Sequence, residues 1–536
     1  MTVLDLYKEN SNVKECIESF KKSNNILITN TMFNHNILLT LLKYENSNSS
    51  VIFVAENLYK ATTAYESFCD LIGIEHVNFY VTDEIVAVEA LAISNEFKYE
   101  RLYTINSIIN NEKKIIVTYI SSALRSLPPI EVFKDNSIKI KEKDIINVNK
   151  LIKQLIILGY TRTPTTQKTG EFSVRGEVID IFPINSNVPF RIDLFDNEIE
   201  VIKMFDINTQ RSIERTQEFK IFPLNELIYE YNDNIINDIK KDLPKDIDIT
   251  IFNSDFEDLK NNKCNERLYK FINYIYKKTY TLIDYLPTST IIFDEYNQIN
   301  DAYEKTIEEI NEYVMSKSEY SQLNLSFVND INLLIGNDHQ KIYLTNFKKT
   351  LNNIKLDKIL TLDAKDIVNY NNNIKYLIED ISLQKNTIVI ALSKDLTCNL
   401  IKESFNINNV KYNEDGNIKE NQINIIKEQN FISFGFINGL TVLTEDVIFK
   451  KTKTKQVKYR SVYQNSSPIN SKEDLKPGDY VVHYDYGIGQ YKGLESVELK
   501  GMTNDYLSIK FANMDLYVPI ERINLIEKYQ GTEGSV

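Results

Sequence analysis

Two short stretches contain residue types used in nucleotide chemistry, but in incomplete form. In a nucleotide-binding α/β domain, a glycine-rich turn after the first strand surrounds the phosphates, and a Lys with a Ser or Thr reaches them and Mg²⁺. Here that turn, Thr29 to Asn36 (TNTMFNHN), has neither glycine nor lysine. Asp294 and Glu295 end a later apolar strand, like the acidic pair that holds Mg²⁺ in such folds. We predict no ATP site here and interpret the acidic pair as a remnant or a plain strand end.

No other arrangement of side chains predicts catalysis or a metal site. The four cysteines form no CxxC pair, and this is typical of reduced thiols in a cytoplasmic protein. The sequence also shows no secretory signal and no apolar stretch long enough for a membrane span. We therefore expect a cytoplasmic chain that is not an enzyme, with no membrane contact and no cofactor of its own. The four histidines lack ligand-like spacing: His35, His76, His339 and His483.

The charge of the chain limits its contact with nucleic acid. Its net charge is −13, whereas a protein that holds DNA by the phosphates normally has an excess of Lys and Arg. One basic run lies in the segment 450–472, for which a solvated linker is favoured over a phosphate-binding stripe. Its basic residues are Lys450, Lys451, Lys453, Lys455, Lys458 and Arg460.

Two predicted strands place arginines and a phenylalanine away from the core. Side chains alternate across a strand, so Arg175 lies opposite the apolar Phe172 and Val174. In a later strand, at residues 190–195, Arg191 and Phe195 share the polar face. A phenylalanine beside an arginine on a polar face has the composition of a binding hot spot. The alternative is that another element covers Phe195.

A second candidate surface lies near the C-terminus. About five short strands with glycine turns occupy residues 473–531, and this rhythm predicts a small β-barrel. Val497 and Leu499 alternate there with polar residues, as in a half-buried strand. Small barrels with exposed edges commonly recognise a partner by adding its strand. A barrel without a partner is the alternative.

The elements that would position these residues predict a multidomain α/β and β protein. Apolar runs separated by helices predict a parallel α/β sheet, and closely spaced strands predict a β-rich insertion into it. The predicted division is an α/β domain, first part, at 1–125; the β-rich insertion at 126–222; the second part of the α/β domain at 223–336; a further α/β domain without an assigned role at 337–449; the linker at 450–472; and the barrel at 473–531.

Two motifs resemble a known repair domain. Gly170–Pro183 (GEFSVRGEVIDIFP) and Arg191–Glu200 (RIDLFDNEIE) are similar to the strand-rich domain shared by UvrB and the bacterial transcription-repair coupling factor Mfd. The resemblance implies that this domain binds UvrA. It implies that the contact residues are Arg175, Arg191 and Phe195.

The C-terminal module resembles the RNA-polymerase-interacting domain of the Mfd family, which is related to CarD-type regulators with a Tudor/SH3-like barrel. The motif starts at Lys476–His483 (KPGDYVVH) and continues through Tyr506 and Leu507. The resemblance implies docking on the polymerase β subunit through the strand with Val497 and Leu499, and with Tyr506 and Leu507.

The resemblance to the first half of Mfd covers nearly the whole chain. It implies a degenerate RecA-like α/β domain and an adaptor that binds stalled RNA polymerase and recruits UvrA for nucleotide excision repair. Family members continue into motor domains that use ATP and Mg²⁺ and contact DNA. The chain stops at Val536, so we expect it to be a fragment without that motor.

Two other functions remain as alternatives. One is a UvrB-like damage-recognition ATPase. The degenerate turn at Thr29 disfavours it, and Phe79–Arg101 leaves too little room for the DNA-clamping hairpin of UvrB. The other is a CarD-like transcription regulator, which would bind polymerase but not UvrA.

Overall fold

The structure is a computed structural model. Two features of the sequence lie wholly or mostly outside the residues that it describes. They are the basic run at 450–460 and the segment Phe79–Arg101, which was predicted to be too short for a DNA-clamping hairpin. The described residues are 3–82, 95–207, 209–263, 266–348, 351, 354–384, 386–415, 417–449, 466–468, 475–483, 487–499, 502–510, 515–519 and 526–529.

A central parallel sheet of seven strands forms the largest layer of the molecule. Alternate residues of its strands enter two apolar cores: Ile52 and Val54 pack in one, and Val51 and Phe53 in the other. Burial on both faces is typical of a parallel sheet covered by helices on each side, and it confirms the predicted α/β character. In spatial order the strands are Lys358–Thr361, Asn25–Thr29, Gln340–Thr345, Thr290–Asp294, Val51–Ala55, Ile115–Tyr119 and Val77–Tyr80.

The strand pairing corrects one predicted boundary. Gln340–Thr345 and Lys358–Thr361, assigned from the sequence to a separate domain at 337–449, flank Asn25–Thr29 in the central sheet. The registers place Ile26 between Ile342 and Lys358. A short apolar run shows that it is a strand but not which sheet it joins, because pairing partners are distant in sequence.

An antiparallel unit lies in the chain between two strands of the central sheet, Ile115–Tyr119 and Thr290–Asp294. We call its six strands the inserted sheet. The Val148–Ile157 helix precedes it, and its one parallel pair is Thr161–Arg162 with Glu171–Arg175. In spatial order the strands are Ser212–Thr216, Glu198–Phe205, Phe190–Phe195, Val178–Ile181, Glu171–Arg175 and Thr161–Arg162. A separate two-stranded ribbon joins Ile138–Lys141 to Glu218–Ile221.

Two further sheets follow. A four-stranded sheet has the order Ile423–Lys427, Ile388–Leu392, Thr441–Thr444 and Phe434–Gly435. The antiparallel C-terminal sheet has the order Ser466–Pro468, Ile526–Tyr529, Tyr480–His483, Gly487–Leu499, Met502–Lys510 and Asp515–Pro519. Val481, Leu507 and Ile509 lie in the core of the C-terminal sheet. Its predicted barrel form stays a prediction.

The helices connect and cover these sheets. The α-helices are Val3–Tyr7, Ser11–Lys22, Phe33–Glu45, Leu58–Ile72, Asn95–Ile109, Ile120–Ala123, Ile130–Asp135, Val148–Ile157, Asp233–Asp242, Asn253–Lys260, Ile272–Ile275, Tyr296–Ser316, Asn332–Ile335, Ile374–Leu383, Asp395–Ile407 and Glu445–Ile448. Short 3₁₀ helices are Ile74–His76, Ile249–Phe252, Glu266–Phe271 and Ser318–Tyr320.

Candidate partner-binding surfaces

The turn after the first strand of the central sheet is filled by the side chains of the helix that follows it. The His35 Nε2–H donates to the carbonyl of Gly435 (3.0 Å), and its Nδ1 accepts from the Tyr7 hydroxyl (2.9 Å). Burial lowers the pKa of His35 to about 4, so the ring is neutral near pH 7. The Asn36 amide donates to Asp294 Oδ1 (2.6 Å). These protein contacts occupy polar groups at the helix start, where a phosphate would bind.

The acidic pair at the end of the Thr290–Asp294 strand is likewise engaged by protein groups. Burial raises the pKa of Asp294 to about 6. Glu295 has a left-handed backbone (φ 61°), and its carboxylate accepts a hydrogen bond from the Asn346 N–H. The predicted absence of ATP binding remains a prediction, supported by these contacts.

A cleft of about 580 Å³ opens beside the same turn. Its wall includes Phe33, Asp366, Asp446 and Lys365, and the Lys365 ammonium donates to Gln384 (3.0 Å). Two carboxylates and one ammonium give this wall an excess of negative charge, which disfavours a polyphosphate.

Within the described ranges, no cluster of three or more His, Cys, Asp or Glu side chains has the arrangement of a metal site. Of the helices that the structure describes, none has the length and apolar character needed to cross a membrane.

Two hairpin turns bring Arg175 and Phe195 to the same end of the inserted sheet. Arg175 ends one strand before a turn that begins with Gly176 (φ 61°), and Phe195 ends another before Asp196 (φ 53°). The Leu194 N–H donates to the Glu177 carbonyl (2.9 Å), which fixes the first turn beside the second strand. Phe195 is 70% exposed, so none of the described elements covers it.

A buried carboxylate lies between the two arginines predicted on this face. Arg191 makes a two-pronged ion pair with Asp180, with Nε–Oδ1 at 2.7 Å and Nη2–Oδ2 at 2.9 Å. Arg175 Nη2 reaches Asp180 Oδ2 at 2.5 Å. The Asp180 side chain is fully buried, although it shares the solvent-side face of the sheet with both arginines. The hydrogen bonds that Arg191 donates to Asp180 raise the pKa of Arg191.

Sequence reasoning missed Asp180 as a member of this cluster. It lies between Ile179 and Ile181, so strand alternation already places it opposite the core. The pairing Asp180↔Arg191 then brings the carboxylate beside the arginine. Alternation combined with hairpin register would have found it.

The predicted polymerase contacts lie on two neighbouring strands of the C-terminal sheet. Val497 pairs with Asn504 and Leu499 with Met502, while the side chains of Val497 and Leu499 lie outside the described residues. Leu507 is fully buried and Tyr506 is 7% exposed. The structure therefore places the Leu507 side chain in the core of the sheet rather than on its surface.

One edge of the C-terminal sheet is open along the strand that contains Val497. Gly487–Gln490 pairs with Tyr480–His483 on one side. Tyr491 is bonded on that side to Gly478 and Asp479. From Lys492 to Leu499, the strand pairs only with Met502–Lys510 among the described residues. A row of backbone N–H and C=O groups on an open edge is a template for strand addition.

Comparison with known proteins matches both candidate surfaces to family models. The model described as "UvrB interaction domain" matches residues 138–227, which include Arg175, Arg191 and Phe195. The model described as "CarD-like/TRCF RID domain" matches residues 475–530, most of the C-terminal sheet.

Curated relatives named transcription-repair-coupling factor match nearly the whole chain. The protein of Bacillus subtilis (strain 168) is 29% identical over 91% of the chain and 44% of its own length. That of Staphylococcus haemolyticus is 27% identical over 95% of the chain and 45% of its own length. That of Staphylococcus aureus (strain MRSA252) is 26% identical over 99% of the chain.

The chain spans somewhat under half the length of these relatives. Two domain matches in the predicted order, together with near-complete coverage of the chain, confirm the predicted resemblance to the N-terminal region of the Mfd family.

Proposed function

Because the chain matches the N-terminal region of transcription-repair-coupling factors, we propose that it is the adaptor part of such a factor. It binds stalled RNA polymerase and recruits UvrA for transcription-coupled nucleotide excision repair. The observation that carries this proposal is that both matched domains offer an open surface: the Arg175–Phe195 end of one sheet and the Lys492–Leu499 edge of the other.

The UvrA contact in this proposal is the hairpin end of the inserted sheet. Phe195 is a large exposed apolar side chain, and Arg175 at the same end of the sheet is 45% exposed. Aromatic and arginine side chains contribute most of the binding energy of typical interfaces, since they bury a large area and make directional hydrogen bonds. Arg191 belongs to the same surface.

The polymerase contact in this proposal is the open edge of the C-terminal sheet, and the partner there is the β subunit. Strand addition satisfies backbone groups that are otherwise bonded to water, and alternate side chains supply specificity. Val497 and Leu499 are the side chains of this edge strand proposed to face the partner.

The chain itself is not an ATPase in this proposal. The side chains of His35 and Asn36 in the Thr29–Asn36 turn are bonded to Tyr7, Gly435 and Asp294, and the turn has neither the glycine nor the lysine of a phosphate loop. ATP, Mg²⁺ and DNA are then partners of the motor region of a whole factor. A cytoplasmic location follows from the same proposal, since bacterial transcription and repair take place there.

A crossed binding experiment tests the adaptor function. The chain and the variants Phe195→Ala and Val497→Arg are each assayed against purified UvrA and against RNA polymerase. We expect Phe195→Ala to lose UvrA and retain polymerase, and Val497→Arg to do the reverse. If each variant loses both partners or neither, the division into two surfaces is wrong.

The CarD-like regulator is the second candidate, and the description of the model that matches residues 475–530 favours it. It predicts polymerase binding by the wild-type chain with no binding of UvrA at micromolar concentration. The UvrB-like ATPase predicts micromolar ATP binding by the same chain.

A further inference from the structure

Asp180 is an unusual residue for a partner-binding face, because its charge is wholly buried there. It lies level with Arg191 on one neighbouring strand and with Ser173 on the other. Its two oxygens accept hydrogen bonds from both predicted contact arginines. A buried carboxylate is stable only when its oxygens are bonded in this way.

Arg191 has few donors left for a partner. Its Nε and Nη2 bond to Asp180, and its Nη1 donates to the Gln210 carbonyl at 3.1 Å. Its guanidinium carbon lies 4.5 Å from the centre of the Phe205 ring, so one planar face is covered. The Arg191 side chain is only 18% exposed.

The loop that supplies Gln210 is itself fixed. Gln210 has a left-handed backbone (φ 57°), and its N–H donates to the Asp206 carbonyl at 2.8 Å. Its side-chain amide donates to the Ile207 carbonyl at 2.8 Å. The acceptor for Arg191 Nη1 is therefore held in place by the turn, not by the arginine alone.

Arg175 is arranged differently. Within the described part of the chain, its side chain makes one hydrogen bond, to Asp180 Oδ2, and 45% of the side chain is exposed. The Asp180 bond restrains one end of the guanidinium, and the residue lies at the same hairpin end of the sheet as Phe195. A restrained arginine loses less conformational entropy on binding than a free one.

We infer that Asp180 and Arg191 are positioning residues of the UvrA surface, and that Arg175 and Phe195 make the contact. The inference rests on the proposed function and divides its three predicted contact residues into two roles. The partner surface that fits has a carboxylate or carbonyl acceptor for Arg175 and an apolar hollow for Phe195.

Chemical modification of the full chain tests the two roles without needing a partner. Phenylglyoxal reacts with accessible guanidinium groups, and peptide mass spectrometry gives the rate at each arginine. We expect Arg175 to react several-fold faster than Arg191, and Asp180→Asn to raise the Arg191 rate. Equal rates for the two arginines in the wild-type chain would overturn the inference. If Asp180→Asn does not fold by circular dichroism, the ratio of the two rates in the wild-type chain decides.

UvrA binding at several salt concentrations gives the second readout. An exposed charge that contacts a partner makes affinity salt-dependent, whereas a charge satisfied inside one protein does not. Arg175→Ala should weaken binding about tenfold or more and flatten the salt dependence. Arg191→Lys should weaken binding, keep the wild-type salt dependence and lower the unfolding midpoint.

Arg215→Ala is the matched control, since this arginine lies on the same sheet and is ion-paired with Glu142 away from the hairpin end. If Arg175→Ala and Phe195→Ala both leave UvrA binding unchanged, the proposed function fails while the modification rates still test the positioning roles. If those two variants weaken binding but Asp180→Asn and Arg191→Lys do not, the inference alone is wrong.

Discussion

The inserted sheet and the C-terminal sheet expose different parts of the polypeptide to their proposed partners. The inserted sheet offers side chains at two hairpin ends, with Phe195 70% exposed and Arg175 restrained by Asp180. The C-terminal sheet offers backbone along Lys492–Leu499, paired on one side only among the described residues. Truncating one side chain should therefore disable the first surface, whereas the second should tolerate truncation and fail when a charge is introduced.

Breaking the buried ion pair that attaches the inserted sheet to the central-sheet unit should have the largest effect on stability. Arg101, on the Asn95–Ile109 helix of the central-sheet unit, is fully buried and bonds both oxygens of Glu226, which follows the inserted strands. Removing one member of a buried ion pair costs on the order of 3–5 kcal/mol. We expect Glu226→Gln to lower the free energy of unfolding by about that amount, measured by urea denaturation, and to weaken UvrA binding more than polymerase binding.

The same residue gives a pH dependence. Burial by itself raises the pKa of Glu226, but the charges of Arg101 and Arg125 outweigh it and lower the pKa to about 2. A depressed carboxyl pKa contributes stability above the unfolded value near 4.5, and this contribution is lost as the pH falls toward 2. The free energy of unfolding of the wild type should fall over this window, and that of Glu226→Gln should fall less steeply. Parallel curves for the two proteins would contradict the pairing.

A charge introduced at the open edge of the C-terminal sheet should have the next largest effect, on polymerase binding. Val497→Arg should weaken polymerase binding about 100-fold or more, because an arginine buried without a partner is strongly unfavourable. The near-isosteric Val497→Thr should change it by less than about fivefold if backbone pairing supplies the affinity. Surface immobilisation of the β subunit and titration of the chain measures both. A large loss with Val497→Thr would argue for a side-chain contact instead.

The exposed phenylalanine gives a smaller effect with a clean control. Phe195→Ala should weaken UvrA binding about 30-fold, the size of a typical hot spot. Its unfolding midpoint should not change, since the ring contributes little to the core. Ile213, 60% exposed on a strand of the same sheet, is the matched position, and Ile213→Ala should leave UvrA binding within about twofold. Equal losses for the two variants would mean that the contact extends along the whole sheet.

Local patterns were sufficient for much of the fold. The apolar runs at Val51–Ala55 and Ile115–Tyr119 predicted buried parallel strands, and both are buried along their whole length. Pairing was not predictable in the same way. Gln340–Thr345 and Lys358–Thr361 join Asn25–Thr29 across more than 300 positions of the chain, and no local signal specifies that choice.

For the candidate surface on the inserted sheet, too, the local pattern predicted one property and the tertiary structure decided another. Strand alternation alone determined that Arg175, Arg191 and Phe195 lie opposite the apolar core, because the side-chain period of a strand is two. Only the tertiary structure decided their exposure. No described element covers Phe195, whereas Asp180, Phe205 and the Gln210 turn enclose Arg191. Exposure depends on groups brought together from distant positions, and for that reason the sequence could place three residues on one face but not assign them two different roles.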